Sequence, residues 1–203
     1  PDVQHVNVGL LGADYELDSG LYRFKKIYTE RDWSVSTAAP LGEPGIGVHE
    51  GDYLLAVNDA PLKAPRNLYA AFEGTVGKQT RIKVGSSPTD PSPRTVVVVP
   101  VQNENALRYV AWVSANRELV SKATGGRVAY IHVPDTAVAG MREFTRQYYP
   151  QVDKTGIIVD ERWNSGGFVP DFFIERLSRT TWVRWSSREG NSGKTPSSAI
   201  DGP

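Results

Sequence analysis

The sequence contains no cysteine among its 203 residues. This absence excludes disulfides, thiolate catalysis, iron–sulfur clusters and cysteine-based zinc sites. The three histidines, His5, His49 and His132, lie 44 and 83 residues apart. That spacing is not typical of metal ligands, so we expect no metal and no cofactor.

The sequence also lacks an excess charge of either sign, because 23 Lys and Arg residues balance 23 Asp and Glu residues. Proteins that hold nucleic acid or an anionic membrane present a basic surface, so we expect neither partner. The longest apolar runs, such as residues 96–100, are far shorter than the ~20 residues of a bilayer-spanning helix. The chain begins with Pro1 rather than Met, and we expect it to be an internal section of a longer protein.

Residues 1–102 consist of short alternating apolar runs that are separated by turn residues. This pattern predicts β-strands, which we assign to residues 5–11, 21–28, 53–57, 80–84 and 95–101. One helix is predicted at residues 65–73, with Pro65 in its first turn and Gly74 just past its end.

Residues 103–203 alternate between helical and strand patterns. We predict helices at residues 105–123, 136–149 and 168–178, and strands at residues 127–133, 156–160 and 181–185. Such alternation implies a parallel sheet with right-handed crossovers. After residue 186 we expect no closing element. The chain is therefore predicted to be α+β overall, with one domain at 1–102 and a second at 103–203.

The first half carries three motifs in order. They are Gly-Leu-Leu-Gly-Ala at residues 9–13, Glu-Gly-Asp-Tyr-Leu-Leu-Ala-Val-Asn at residues 50–58, and the predicted helix around residues 68–72. The series resembles a PDZ domain of the bacterial, protease-associated kind. The resemblance implies a β-sandwich or partly open barrel with one or two helices, which binds peptides or protein C-termini.

Elementary chemistry supports a peptide site in this half. A glycine at position 12 lets backbone N–H groups converge on a carboxylate, and a strand at residues 13–17 could pair with an extended peptide. We predict that Leu11, Gly12 and Ala13 form a carboxylate loop. Leu68 and Phe72 are predicted to form the walls of a pocket. The alternative is that Gly12 is an ordinary turn glycine and the helix residues belong to the core. Asp14 beside the loop would repel a carboxylate.

The second half contains Tyr-Ile-His-Val-Pro-Asp at residues 130–135 and Asp-Glu-Arg-Trp-Asn-Ser-Gly-Gly-Phe at residues 160–168. Behind a PDZ-like half, these segments resemble the tricorn protease family, relatives of the tail-specific (C-terminal processing) serine peptidases. The resemblance covers almost the whole chain. Ser165 departs from it, because the family usually has a third glycine at this position.

The resemblance implies that residues 103–203 are the first part of a crotonase-like α/β peptidase domain. The parent enzyme would hydrolyse peptides through a serine nucleophile and would be a cytoplasmic homo-oligomer, a hexamer. In the family, a serine–histidine pair precedes the PDZ domain, and the nucleophile and a glutamate follow the segment at which this chain stops. We therefore expect the 203-residue chain alone to be inactive.

One part of the family's catalytic site has a counterpart here, the glycine loop whose backbone N–H helps to form the oxyanion hole. The resemblance assigns this role to Gly166, or to Gly167 if the register differs by one. The local pattern agrees, because amides at a strand-to-helix turn favour negative charge. The alternative is a tight turn that serves packing alone.

Two further hypotheses are a nucleophilic Ser165, which the sequence disfavours, and a non-catalytic function for the whole chain, which stays open. Ser165 is a poor nucleophile candidate, because the Gly-x-Ser-x-Gly pattern is absent and no base is placed near it. The alternative function for the whole chain is a non-catalytic, PDZ-type peptide-binding adaptor with a structural second half.

Overall fold

The computed structural model describes residues 6–30 and 38–200, so His5, the first residue of the predicted first strand, lies outside the described residues. The chain divides into two compact units, Pro1–Trp112 and Val113–Pro203. The division between these units falls inside helix α1 (Asn105–Thr124), and the domain boundary at residue 102 stays a prediction.

The first unit is built on one antiparallel sheet. Its strands are β1 (Ala13–Asp18), β2 (Leu21–Ile27), β3 (Tyr53–Val57), β4 (Ala60–Pro61), β5 (Thr80–Gly85) and β6 (Arg94–Val98). They are ordered β1-β2-β3-β5-β6, with β4 paired to β3, and the sheet does not close into a barrel. The predicted strands at 21–28, 53–57 and 80–84 are confirmed, and the strand predicted at 95–101 forms but ends at Val98.

Local chemistry explains the strand pairings. The two-residue turn between β3 and β4, Asn58 and Asp59, has φ values of 47° and 67°, as a tight hairpin turn with the twist of its strands requires. In β5, alternate residues Thr80, Ile82 and Val84 are buried. They face a core that includes Phe24, Leu54, Leu62 and Val98.

Two predictions for the first unit are wrong. The predicted strand at 5–11 forms only isolated bridges, one between Val8 and Glu73 and one between Leu10 and Val101. The predicted helix at 65–73 is reduced to a 3₁₀ turn, Tyr69–Phe72. Asn67 Oδ1 accepts the Tyr69 N–H at 2.8 Å, an arrangement that competes with helix formation.

The second unit contains the parallel pair that the sequence predicts. Strands β7 (Val128–His132) and β8 (Gly156–Asp160) pair in parallel, from Val128↔Gly156 to His132↔Asp160. Helix α2 (Val138–Tyr148) connects these two strands in sequence, and its buried residues include Phe144 and Tyr148. These side chains form a core with Ile131, Val133 and Phe173, so the mixed α/β class is confirmed.

The end of the chain is more ordered than predicted. Helix α3 (Pro170–Leu177) is followed by β9 (Val183–Ser186) and β10 (Ser192–Thr195). These two strands form an antiparallel hairpin, so the expectation of no closing element is wrong. Within residues 6–30 and 38–200, no helix combines the length and apolar character needed to cross a membrane.

Candidate functional site

The first candidate site is the loop before β1 in the first unit. Gly12 has φ of +72°, a conformation that favours glycine. A Cβ at this position would lie 2.6 Å from Leu107 Cδ2. The Gly12 carbonyl accepts the Tyr28 N–H at 2.8 Å. The loop therefore needs glycine both for its conformation and for its packing.

Four of the residues predicted to bind peptide lie in the hydrophobic core. Leu11, Ala13, Leu68 and Phe72 are all buried, with Leu68 at 5% exposure and Phe72 at 2%. With Glu104 they line a cavity of only about 10 Å³. That volume is about one water-sized probe, so these side chains offer a peptide little free surface.

An open groove lies beside β1, the edge strand of the sheet. Its volume is about 890 Å³, and Tyr15, Leu17, Lys25, Lys26 and Tyr69 are among its lining residues. Leu68, a predicted pocket wall, also lines this groove, and Tyr15, Leu68 and Tyr69 line the small cavity as well. An edge strand with a groove next to it is the usual geometry for peptide binding by strand addition.

A charged cluster at the Gly12 loop escaped the sequence analysis. Glu104 Oε2 accepts the Gly12 N–H at 2.8 Å, and Glu104 Oε1 accepts the Arg108 Nε–H at 2.7 Å. Arg108 also donates to Asp14 Oδ1 at 2.8 Å. Tyr28 donates its hydroxyl proton to Asp14 Oδ2 at 2.7 Å. The loop amide is thus satisfied by a carboxylate of the chain itself.

The cluster changes the titration of its members. Burial tends to raise the pKa of Asp14, yet the hydrogen bonds from Tyr28 and Arg108 hold that pKa below its ordinary value. Burial opposes the charge of Arg108 as well, but Asp14 and Glu104 raise the pKa of its guanidinium. The only sequence signal was the i, i+4 spacing of Glu104 and Arg108, because the contact to Gly12 spans 92 residues.

The second candidate site is the glycine loop after β8. Asn164 organises it, since its Nδ2 donates to the Val133 carbonyl at 3.2 Å and its Oδ1 accepts the Gly166 N–H at 2.7 Å. The Gly166 carbonyl in turn accepts the Thr136 N–H at 2.9 Å. Ser165 donates its N–H to the Pro134 carbonyl at 3.0 Å. The Gly166 amide is therefore already used within the loop.

Gly167 differs from Gly166 in both packing and hydrogen bonding. Its φ is +152°, and a Cβ there would lie 2.2 Å from the Thr136 carbonyl oxygen. Its N–H and that of Phe168 donate to none of the described residues. Phe168 itself is fully exposed. The loop thus presents two consecutive amide donors, held in place by close backbone packing.

Asp160, at the end of β8, anchors the start of this loop. Its carboxylate accepts from the Arg162 backbone N–H at 3.0 Å and from Arg162 Nε at 2.9 Å. Tyr130 donates its hydroxyl proton to Asp160 at 2.6 Å. The hydrogen bonds from Arg162 hold the pKa of Asp160 well below its usual range, although burial opposes this shift. Burial, followed by the bond to Asp160, raises the pKa of Tyr130 to about 12.

No metal centre is apparent in the part of the chain that the structure describes, where no three His, Asp or Glu side chains come together as ligands. His132 is buried, and its Nε2 lies 2.8 Å from the Arg162 carbonyl oxygen. This histidine therefore supports the backbone of the loop. The chemistry of the loop consists of backbone amides beside a buried ionic network.

Comparison with known proteins first defines the class of the first unit. The family described as "Tricorn protease PDZ domain" matches residues 9–103. The first unit is therefore a PDZ domain, with the glycine loop before β1 and the groove beside it.

The likeness extends through the second unit. The chain is 29% identical over 202 residues to the tricorn protease of Thermoplasma volcanium, covering 100% of this chain and 19% of that protein. It is 34% identical over 183 residues to tricorn protease homolog 1 of Streptomyces coelicolor, covering 90% and 17%. A crystal structure of the tricorn protease superposes on 97% of this chain and 19% of its own, with a TM-score of 0.84 and 27% identity.

The chain belongs to the tricorn protease family. It spans less than a fifth of the length of these relatives. The likeness covers the PDZ domain and the α/β segment that follows it.

Proposed function

We propose that this chain is a section of a tricorn-type serine peptidase that hydrolyses peptides. Its contribution is a PDZ domain and a glycine loop that supplies an oxyanion-hole donor. Family membership supports the peptidase class. Because the resemblance puts the nucleophile, histidine and glutamate outside these residues, the isolated chain should release no product from peptides and should not react with an active-serine probe.

The observation that carries the oxyanion proposal is the unused Gly167 amide. An oxyanion hole needs donors that are fixed in advance and free of other partners. The Gly166 amide is bonded to Asn164 at 2.7 Å, whereas Gly167 is held against Thr136 and its N–H has no acceptor among the described residues. We therefore assign the donor to Gly167, with the adjacent Phe168 amide as its neighbour.

A glycine-to-alanine series in the full-length enzyme tests this assignment. The Cβ of Gly167→Ala would collide with the Thr136 backbone, which must displace the amide, so we expect kcat to fall about 10²–10³-fold with little change in KM. Gly166→Ala meets open space and should lower kcat less. A rate for Gly167→Ala equal to that of Gly166→Ala would refute the assignment.

The matched control for this series is Gly190→Ala. Gly190 has a similar positive φ of +88° with open space around it, and it lies in the turn between β9 and β10. Circular dichroism would verify that each variant is folded. The control should retain the parental kcat. That result would show that alanine at a positive φ does not by itself lower kcat, so that a loss in Gly167→Ala can be attributed to the displaced amide donor.

The family likeness also underlies our proposal that the whole enzyme is a cytoplasmic homo-oligomer, a hexamer. Multi-angle light scattering of the full-length protein tests the assembly. If the full-length protein has a mass below that of a hexamer at the concentration used in the activity assay, the proposed hexameric assembly is wrong.

A second function, peptide binding by the PDZ domain, is favoured by the groove of about 890 Å³ beside edge strand β1. Peptide binding by this domain is compatible with two roles, delivery of substrate within the peptidase and a non-catalytic adaptor function. Fluorescence titration with labelled peptides tests it, and the absence of saturable binding would remove it.

A further inference from the structure

The end of the groove nearest Gly12 already contains a carboxylate. Glu104 Oε2 accepts the Gly12 N–H at 2.8 Å, and the Glu104 side chain is only 12% exposed. This N–H is the donor that a carboxylate loop would offer to the C-terminus of a peptide. An incoming carboxylate would first have to displace Glu104.

Arg108 fixes Glu104 in this position. Two of its nitrogens, Nε and Nη2, lie 2.7 and 2.6 Å from Glu104 Oε1, and its Nη1 lies 2.8 Å from Asp14 Oδ1. Charge-assisted contacts of this kind are strong and geometrically specific. Lys26 also acts on Asp14, so the exclusion of a further carboxylate depends on the bonded position of Glu104 rather than on the net charge of the cluster.

Packing closes the same end of the groove. Leu107 is 1% exposed, and its Cδ2 lies close above Gly12, 2.6 Å from the position of a Cβ. The cavity between Leu11, Phe72 and Glu104 has a volume of about 10 Å³. A peptide carboxylate therefore finds little space at the loop, and the Gly12 donor there is already bonded to Glu104.

The remainder of the groove is open. It runs beside β1 and is lined by charges of both signs, Asp14, Glu16, Lys25 and Lys26, together with the ring of Tyr15. Main-chain hydrogen bonds to an edge strand supply affinity without any terminal group. This part of the groove can thus bind an extended segment whose own chain end lies elsewhere.

We propose that the groove binds internal, extended polypeptide segments by pairing them with β1, and that Glu104 excludes free C-termini from the Gly12 loop. The inference rests on the proposed peptide-binding function of the PDZ domain. It names the class of peptide that this site accepts.

Fluorescence anisotropy on the 203-residue chain tests the proposal with two probes. Both are the same fluorescein-labelled octapeptide of alternating Val and Thr, one ending in a free carboxylate and the other in a carboxamide. The parental chain should bind them with Kd values within about twofold, because an exposed terminal charge contributes little. Glu104→Ala should bind the free acid about 10–100-fold more tightly than the amide, since the Gly12 N–H becomes available.

Glu118→Ala is the matched control. Glu118 lies in helix α1, which begins just after Glu104, and it also makes an i, i+4 ion pair, with Lys122 at 2.7 Å, but that ion pair does not involve the Gly12 loop. It should behave like the parent. If Glu104→Ala does not fold, Glu104→Gln keeps the size of the side chain, and its amide oxygen can still accept the Gly12 N–H. Loss of the charge weakens that bond and the contact with Arg108, so the preference should shift toward the acid by a smaller factor than that given for Glu104→Ala.

Amide hydrogen exchange at Gly12, followed by NMR, adds a readout that needs no peptide. The Gly12 N–H should be protected in the parent and exchange faster in Glu104→Ala. A parental preference for the free acid, or an unprotected Gly12 amide in the parent, would overturn the exclusion by Glu104 and leave peptide binding intact. Absence of binding by both probes would instead overturn the proposed peptide-binding function together with this inference.

Discussion

Replacement of Gly12 by alanine should destabilise the PDZ domain for two separable reasons. The positive φ of +72° costs an L-residue about 1–2 kcal/mol. The added Cβ would lie 2.6 Å from Leu107 Cδ2, and overpacking of this kind costs about 1–3 kcal/mol. Together they predict a loss of about 2–5 kcal/mol in the free energy of unfolding.

Gly20→Ala separates the two contributions. Gly20 has a φ of +78° but nothing within 4 Å of its Cβ position, so it should lose only the conformational part. Urea unfolding followed by circular dichroism gives both free energies. The difference between the two variants measures the contact with Leu107.

A double-mutant cycle with Leu107→Ala completes this test. Leu107 is buried, so its truncation alone should cost about 2–5 kcal/mol. In the double variant the collision is absent, and the two losses should sum to about 1–3 kcal/mol more than the observed one. Equal free energies for Gly12→Ala and Gly20→Ala, or strictly additive losses in the cycle, would refute the argument.

Two further predictions concern the second unit. Asp160 has a folded pKa below its ordinary 3.8, so it contributes stability above that pH and loses the contribution as pH falls toward the folded pKa. Asp160→Asn should therefore be less stable than the parent in urea at pH 7, and the gap should narrow below pH 3.8; a gap independent of pH would contradict this. Phe144 is fully buried, and its ring is stacked with that of Tyr148 at a centroid distance of 4.9 Å. Phe144→Ala should therefore lower the free energy of unfolding by about 3–5 kcal/mol. The control Phe168→Ala, at an exposed ring, should stay within about 0.5 kcal/mol of the parent in the same assay.

Strands with strong local patterns were predicted well. The apolar run at 156–160 became β8 with the predicted bounds, and the alternation in residues 80–84 became β5 with its even-numbered residues buried. In both cases side-chain periodicity reports which face will be buried. The Asn58–Asp59 turn was equally local, because only a few residue types accept positive φ.

Segments whose backbone bonds go to distant partners were predicted poorly. The spacing of Leu68 and Phe72 suited a helix, yet the Phe72 carbonyl accepts the Gly9 N–H at 3.0 Å and only a 3₁₀ turn forms. Residues 192–195 have little strand character of their own, and they become β10 because β9 supplies a partner. Pairing of this kind is not encoded within a short window.

The candidate sites also combine features that the local sequence predicts with features that only the folded chain shows. Glycine at positions 12 and 167 is a local property of the chain, and it marked both loops because positive φ and close backbone approach require it. Which amide is already bonded depends on a local contact in one loop and on a tertiary contact in the other. Asn164 takes the Gly166 amide only two residues away, whereas Glu104 reaches Gly12 across 92 residues of sequence. A hydrogen bond over that separation depends on how the sheet and helix α1 pack, which no local pattern contains.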